Sequence, residues 1–280
     1  MGRADALRFR RRWFPDKAEG EWAVPDHPRD FDLFLLMGQS NMVGFGCISP
    51  SESWQDGDHD PAPGVLVLGG QSKVKSSRPR GRIVWRPAAH PLHLNQRSAG
   101  FGMGLPFAAK LREANLRKMI GLIPCAWGGA RIDQLGPGSP LYANTVKRAR
   151  FAAEQGCLRA VLWHQGESDA LTEDLSQAHA GKLSRLMETL RADLGESDLP
   201  FLIGDLADFT ERERWKSDPV AAERNARVRA GLRDLAQRDP HTVFVESEGV
   251  EGVDPVHFSR EALISFGERY AAAWESFCRV

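Results

Sequence analysis

Six short, almost wholly apolar runs punctuate the chain, at 31–37 (FDLFLLM), 65–68 (VLVL), 118–123 (KMIGLI), 159–163 (RAVLW), 200–206 (PFLIGDL) and 242–246 (TVFVE). They do not alternate polar with apolar, which is the pattern of parallel strands covered on both faces. Between them lie stretches with helical periodicity at 104–115, 141–155, 172–194, 219–237 and 260–276. In 172–194, Leu175, Leu183, Leu186, Leu190 and Leu194 share one face. Glu173 and Asp174 occupy its first turn, where the helix dipole favours negative charge. In 260–276, Ser259 stands at the N-cap and Leu263, Phe266, Tyr270 and Trp274 form one stripe. Strand–helix alternation predicts right-handed βαβ units and a doubly wound sheet, with ligands bound outside the carboxyl ends of the strands.

The 280 residues suit one large α/β domain. The expected division is an N-terminal extension over 1–30 and a single domain over 31–280. The segment 46–100 is rich in Pro, Gly, Ser and charge and reads as a long loop insertion, a lid or substrate wall over the site. Its basic residues Lys73, Lys75, Arg78, Arg80, Arg82 and Arg86 read as a solvated face, with an anion site as the alternative.

Basic and acidic residues balance at 37 each, so neither nucleic acid nor an anionic membrane surface is the expected partner. No stretch approaches the roughly 18 apolar residues that span a bilayer. The basic N-terminus has no apolar segment behind it and is not a secretory signal. A cytoplasmic location is therefore expected, or a secreted one if a signal was removed. Cys47, Cys125, Cys157 and Cys278 show neither CxxC nor metal-ligand spacing, and reduced thiols are expected.

Five stretches carry candidate chemistry. In LLMGQSNMVG, Ser40 follows the first strand, between the amides of Gln39 and Asn41. Gly38 permits a sharp turn, and a helix starting near Asn41 would aim free N–H groups at the serine. The same serine could simply cap that helix. In GVDPVHFSR, Asp254 and His257 are three apart with Pro255 stiffening the spacing. A serine alkoxide needs a base, and the base needs a carboxylate to fix its tautomer. A bare DxxH is common, but its place after the last strand pairs it with Ser40. In LWHQGESDA, Gln165 offers an amide donor for an oxyanion. His164 is a rival base, although a His closing a buried strand is more often structural. Glu167 and Asp169 could form an acid/base pair or metal site, or Glu167 could orient its neighbours. In AGFGMGLPFA the glycine spacing is not GxGxxG, which argues against a dinucleotide. Gly102 or Gly104 could give a second oxyanion N–H. In GLIPCAWGGARIDQL, Gly128 and Gly129 let backbone approach the cleft, flanked by Trp127 and Arg131. Trp127 or Trp85 could stack on a sugar ring.

GQSNMVG, GFGMGLPFA, GLIPCAWGGARIDQLGPGSPLY, AVLWHQGESDA and DPVHFS, in this order over 31–270, resemble the SGNH hydrolase superfamily. More closely they resemble the sialate O-acetylesterase-like branch that includes carbohydrate esterase family six acetylxylan esterases. The resemblance implies a three-layer α/β/α flavodoxin-like fold with a central parallel sheet of five to six strands. It implies hydrolysis of acetyl esters on carbohydrates such as acetylxylan, acetylated oligosaccharide or sialate, through an acetyl-enzyme and without metal or cofactor. Ser40 would be nucleophile, His257 base and Asp254 its partner. The oxyanion would meet the N–H of Ser40, an N–H of Gly102 and the side chain of Gln165. Gln39, Asn41, Trp127, Gly128, Gly129, Arg131 and Glu167 would line the substrate site. Two departures stand out: Gly102-Met103-Gly104 replaces Gly-Pro-Gly, and Ala130-Arg131 replaces a Thr or Ser pair. The second bears on the acyl-sugar preference rather than the catalytic class. Rival readings are a short-chain aryl esterase or thioesterase, a non-catalytic glycan-binding module, and a metal hydrolase using Asp254, His257, His164 and Glu167.

Overall fold

Strand β1 (Phe31–Gly38) sends Phe34 and Leu36 into one apolar core and Leu33, Leu35 and Met37 into another. A strand buried on both faces has no polar positions to alternate, which is why its sequence is continuously apolar. The computed structural model describes residues 23–44, 54–69, 83–94, 96, 99–207, 219–254 and 256–279. Among these, β1 is joined in one sheet by β2 (Val65–Leu68), β3 (Trp85–Pro87), β4 (Met119–Pro124), β5 (Cys157–His164), β6 (Phe201–Gly204) and β7 (Thr242–Val245). The order is β3-β2-β4-β1-β5-β6-β7, parallel throughout except for β3, which runs antiparallel to β2 at the edge.

Besides a short 3-10 turn at Pro28–Asp30, the described residues form seven α-helices: α1 (Ser40–Val43), α2 (Gly104–Ala114), α3 (Ile132–Leu135), α4 (Pro140–Ala153), α5 (Glu173–Leu194), α6 (Pro219–Arg238) and α7 (Arg260–Phe277). One core takes Phe107 and Ala108 of α2 and Leu263, Phe266 and Tyr270 of α7. The other takes Ala149 of α4, Leu183, Leu186 and Leu190 of α5, and Val228 and Leu232 of α6. The result is three layers. The chain fills one side of β1 with β2 and β4, then the other with β5, β6 and β7. The direction of winding therefore reverses at β1, and the crevice beyond the carboxyl ends of β4, β1 and β5 is where such a sheet receives a ligand.

Three of the long helices begin at side-chain caps, of which Ser259 is the one expected from the sequence. Ser139, Thr172 and Ser259 accept backbone N–H from Tyr142, Leu175 and Ala262. Among the short elements, β3 and α3 escape the sequence reading, whereas α1 falls where a helix near Asn41 is expected. Each spans three or four residues, too few to express a period. Pro87 also sits in β3, which only an edge strand tolerates.

The 46–100 segment is not simply a cover, because its described parts supply β2, β3 and the buried Trp85, Ala88 and Leu92. Of its basic residues only Arg86 lies within the described residues. It is not solvated: burial, with the nearby charge of Arg148, lowers its pKa to about 10.

Among the described residues no helix is long and apolar enough to cross a membrane. Cys125, Cys157 and Cys278 are free thiols, and Cys47 lies outside the described residues.

One buried contact ties α7 to the sheet. The hydroxyl of Tyr270 donates to the Trp163 carbonyl at 2.7 Å, near the end of β5. Gly204 makes the approach possible, since a Cβ there would lie 2.2 Å from that hydroxyl. Tyr270→Phe leaves the carbonyl buried without this partner, at a cost of about 1–3 kcal/mol. The expected result is a lower denaturant midpoint at unchanged m-value. An unchanged midpoint would mean that the carbonyl finds another donor.

Candidate active site

The site begins with a glycine. Gly38 has φ 138°, and a Cβ on it would stand 2.1 Å from the His164 carbonyl oxygen. Only glycine fits there, and it lets β1 end hard against β5. The Gln39 N–H donates to the His164 carbonyl at 2.9 Å, and the Trp127 N–H donates to the Gly38 carbonyl at 3.0 Å. The ends of β1, β4 and β5 are thereby laced together. Ser40 opens α1, so its N–H has no acceptor within the helix. The Gly102 stretch packs on the same turn: a Cβ on Gly102 would lie 3.2 Å from the Met42 carbonyl oxygen.

Asp254 and His257 sit on a hairpin after β7. The Val253 N–H donates to the His257 carbonyl at 2.9 Å, and the Ser259 N–H donates to the Glu251 carbonyl at 2.8 Å. Oδ1 of Asp254 accepts the backbone N–H groups of Val256 and His257 at 2.7 and 2.8 Å. Its Oδ2 faces Nδ1 of His257 at 2.7 Å. The i,i+3 spacing thus works through an Asx-type turn, and Pro255 lies outside the described residues. A carboxylate at Nδ1 holds the proton there and leaves Nε2 as the acceptor. Burial raises the Asp254 pKa. The His257 ring and the two backbone N–H groups lower it by more, so it sits below the ordinary value.

Asn41 joins the serine turn to the hairpin. Its Oδ1 accepts the Phe258 N–H at 3.0 Å, and its Nδ2 donates to the Val256 carbonyl at 3.2 Å. Nδ2 also donates to Oε1 of Glu167 at 2.8 Å. The residues on both sides of His257 are therefore held by the residue after Ser40. His164 is fully buried, edge-on to Phe258 and Phe266 at ring separations of 5.2 and 5.3 Å. It is packed as a structural residue. Its Nε2 lies 3.6 Å from Glu167, an electrostatic contact too long for a hydrogen bond. Burial pushes the Glu167 carboxyl up, but His164 and Asn41 pull it down further, to a net position below the ordinary range.

Several expected contact residues face inward. The amide of Gln165 is fully buried and donates toward Asp169, the Ala130 carbonyl at 3.2 Å and Gln39 Oε1 at 3.3 Å. Its Oε1 meets Nε2 of His179 at 2.9 Å. In this arrangement the amide nitrogen has only protein acceptors within reach among the described residues. Gln39, Asn41 and Glu167, expected to touch substrate, are likewise buried with protein partners. Gln39 Oε1 also accepts the Ser168 N–H at 3.2 Å. Trp127 and Gly128 are half-buried, and Gly129 and Arg131 are exposed. Trp85 is a core residue packed against Phe31 at 4.8 Å.

Of the other members, His179, His90 and Arg260 carry no local sequence signal, whereas Asp169 stands in the LWHQGESDA stretch. His179 is neutral, held to about pKa 4 by burial, and Asp169 accepts both Gln165 and the Ile132 N–H at 2.9 Å. His90, held to about pKa 3 by burial, receives the Gly102 N–H at a long 3.4 Å. Arg260 pairs with Asp58 through both guanidinium nitrogens and lies 4.1 Å over the Phe101 ring. That clamp ties the segment before β2 to the chain just after His257. Among the described residues no cluster of three or more His, Cys, Asp or Glu could hold a metal.

A doubly wound three-layer sheet, with a serine after its first strand and a His–Asp hairpin after its last, defines an SGNH-type hydrolase. The chain belongs to the carbohydrate esterase, sialic acid-specific acetylesterase family, whose profile matches residues 30–276. It is a carboxylic ester hydrolase of the carbohydrate acetylesterase type. The probable carbohydrate esterase At4g34215 of Arabidopsis thaliana is 30% identical over 272 residues, covering 94% of this chain and 96% of the relative. Its X-ray structure matches with a TM-score of 0.70 at 28% identity, covering 89% of this chain and 99% of that one. NanS matches with a TM-score of 0.65 at 21% identity, over 90% of this chain and 98% of that one. XAC1771, a carbohydrate acetylesterase from Xanthomonas citri, matches at 0.62 and 19%, over 86% of this chain and 55% of that one. At these identities the last two share the fold.

Proposed function

We propose that this chain releases acetate from O-acetylated carbohydrate by double displacement at Ser40. The observation that carries the reading is the grip of Asn41 on both neighbours of His257, whose ring is paired with Asp254. His257 Nε2 takes the proton of Ser40 as Oγ attacks the acetyl carbonyl carbon. The tetrahedral intermediate collapses, the sugar oxygen leaves with that proton, and Ser40 keeps the acetyl group. Water then attacks the acetyl-serine with His257 again as base, and acetate departs. With Gln165 turned inward, the oxyanion donors are the N–H of Ser40 and that of Gly102, released from its long bond to His90. Each is worth on the order of 3 kcal/mol of barrier. Trp127, Gly128, Gly129 and Arg131 supply the rim that meets the sugar.

Two measurements test this. Acetate release from O-acetylated xylo-oligosaccharide and O-acetylated sialic acid should exceed butyrate release from an aryl butyrate by at least about tenfold in kcat/KM, because one extra methylene pair in a small acyl pocket shifts rates by that order. Preference for the longer acyl chain would sink the acetyl-sugar reading. A fluorophosphonate probe should label the peptide containing Ser40, and stoichiometric labelling elsewhere would sink the nucleophile.

A further inference from the structure

We propose that Asn41 is a positioning residue: its carboxamide sets where the His257 imidazole stands relative to Ser40, and Glu167 locks the direction in which that carboxamide points. This rests on the reading of Ser40 and His257 above.

His257 is held by two separate grips. Asp254 acts within the hairpin and fixes the ring and its own turn. Nothing in that grip refers to Ser40. Asn41 acts from the turn that carries the serine, holding the carbonyl before His257 and the N–H after it. Only a carboxamide can do both at once, since it offers an acceptor and a forked donor in one plane. Asn41 is fully buried, so no water replaces a lost bond cheaply. A carboxamide can also turn over by half a rotation, which would set oxygen against the Val256 carbonyl and N–H against the Phe258 N–H. Glu167 prevents this, because Oε1 accepts only from the NH₂ side. Sequence separations of 126, 215 and 217 show that the three bonds join three distant parts of the chain.

Asn41→Asp keeps the acceptor for Phe258 but replaces the donor with a negative oxygen facing Glu167 and the Val256 carbonyl. A displacement of about 1 Å between base and nucleophile costs about 100-fold, so kcat on 4-nitrophenyl acetate should fall about 100-fold with KM within about twofold. Glu167→Gln alone should cost less than about tenfold, since its amide oxygen still accepts from Asn41. The double variant should recover at least about tenfold over Asn41→Asp, because the new amide at 167 donates to the new carboxylate at 41. A loss in the double equal to or beyond the product of the singles would overturn the strut, as would an Asn41→Asp enzyme within about threefold of wild type. Should Asn41→Asp not fold, Glu167→Ala frees the carboxamide to turn and should cost about tenfold in kcat, and no loss there also overturns it. Ser40→Ala separates the two levels. If it turns over like wild type, the nucleophile reading falls. If it is inactive while Asn41→Asp is not impaired, only the strut falls.

Discussion

Ser40→Ala is expected to lower kcat on 4-nitrophenyl acetate, and acetate release from acetylated sugar, on the order of 10⁵-fold or more, with little change in KM. The size follows from what is removed. Without Oγ no acetyl-enzyme forms, and His257 can act only on water held less closely than a covalently placed hydroxyl. What survives is the contribution of the backbone donors of Ser40 and Gly102, which alanine and glycine still provide. Such residual catalysis typically stands about 10³–10⁴-fold above the uncatalysed rate. The substitution deletes one oxygen at the head of a helical turn, so the unfolding midpoint should move little. A folded Ser40→Ala enzyme with turnover within tenfold of wild type would remove the nucleophile and direct attention to a water-based reaction.

Much of the scaffold was legible because burial writes itself into sequence. The six apolar runs announce themselves by having no polar face, and the last helix by Ser259 at its cap. Ser40, Asp254 and His257 stand out because each follows a strand's carboxyl end. What could not be read is which way a buried amide faces. Gln165 and Glu167 look like cleft residues because they follow β5. Their direction is decided by Asp169, Ala130, His179 and Asn41, contributed by other loops and helices. Asn41 is the sharpest case. Beside the proposed nucleophile it reads as a substrate contact, yet its partners lie beyond residue 160 and it meets no solvent. The Arg260–Asp58 clamp spans 202 positions and has no local pattern at all. Local spacing predicts local geometry, whereas the frame of this site is built from contacts between segments.

Asp254→Asn should lower kcat on the order of 10³–10⁴-fold while leaving the hairpin in place. The two oxygens of Asp254 have different tasks. Oδ1 receives the Val256 and His257 N–H groups, and an amide oxygen can still do so. Oδ2 receives the ring proton of His257, and an amide nitrogen there donates instead. Nδ1 must then become the acceptor, which moves the proton to Nε2, the atom that has to take the proton of Ser40. The base is thus present but in the wrong tautomer, and it no longer has a negative neighbour when it becomes imidazolium. KM should change little, which distinguishes this loss from damage to the rim at Trp127 and Arg131. The same carboxylate leaves a signature in stability. Its folded pKa is below the ordinary Asp value of about 3.9, so its contribution is present above that pH and fades as pH falls through the lower folded value. The stability gap between wild type and Asp254→Asn, measured by denaturant unfolding, should therefore be larger at pH 7 than at pH 3. Equal kcat in variant and wild type would mean that His257 acts without this tautomer. A gap that widens on acidification would mean that the carboxylate is not held by the hairpin in its ionised form.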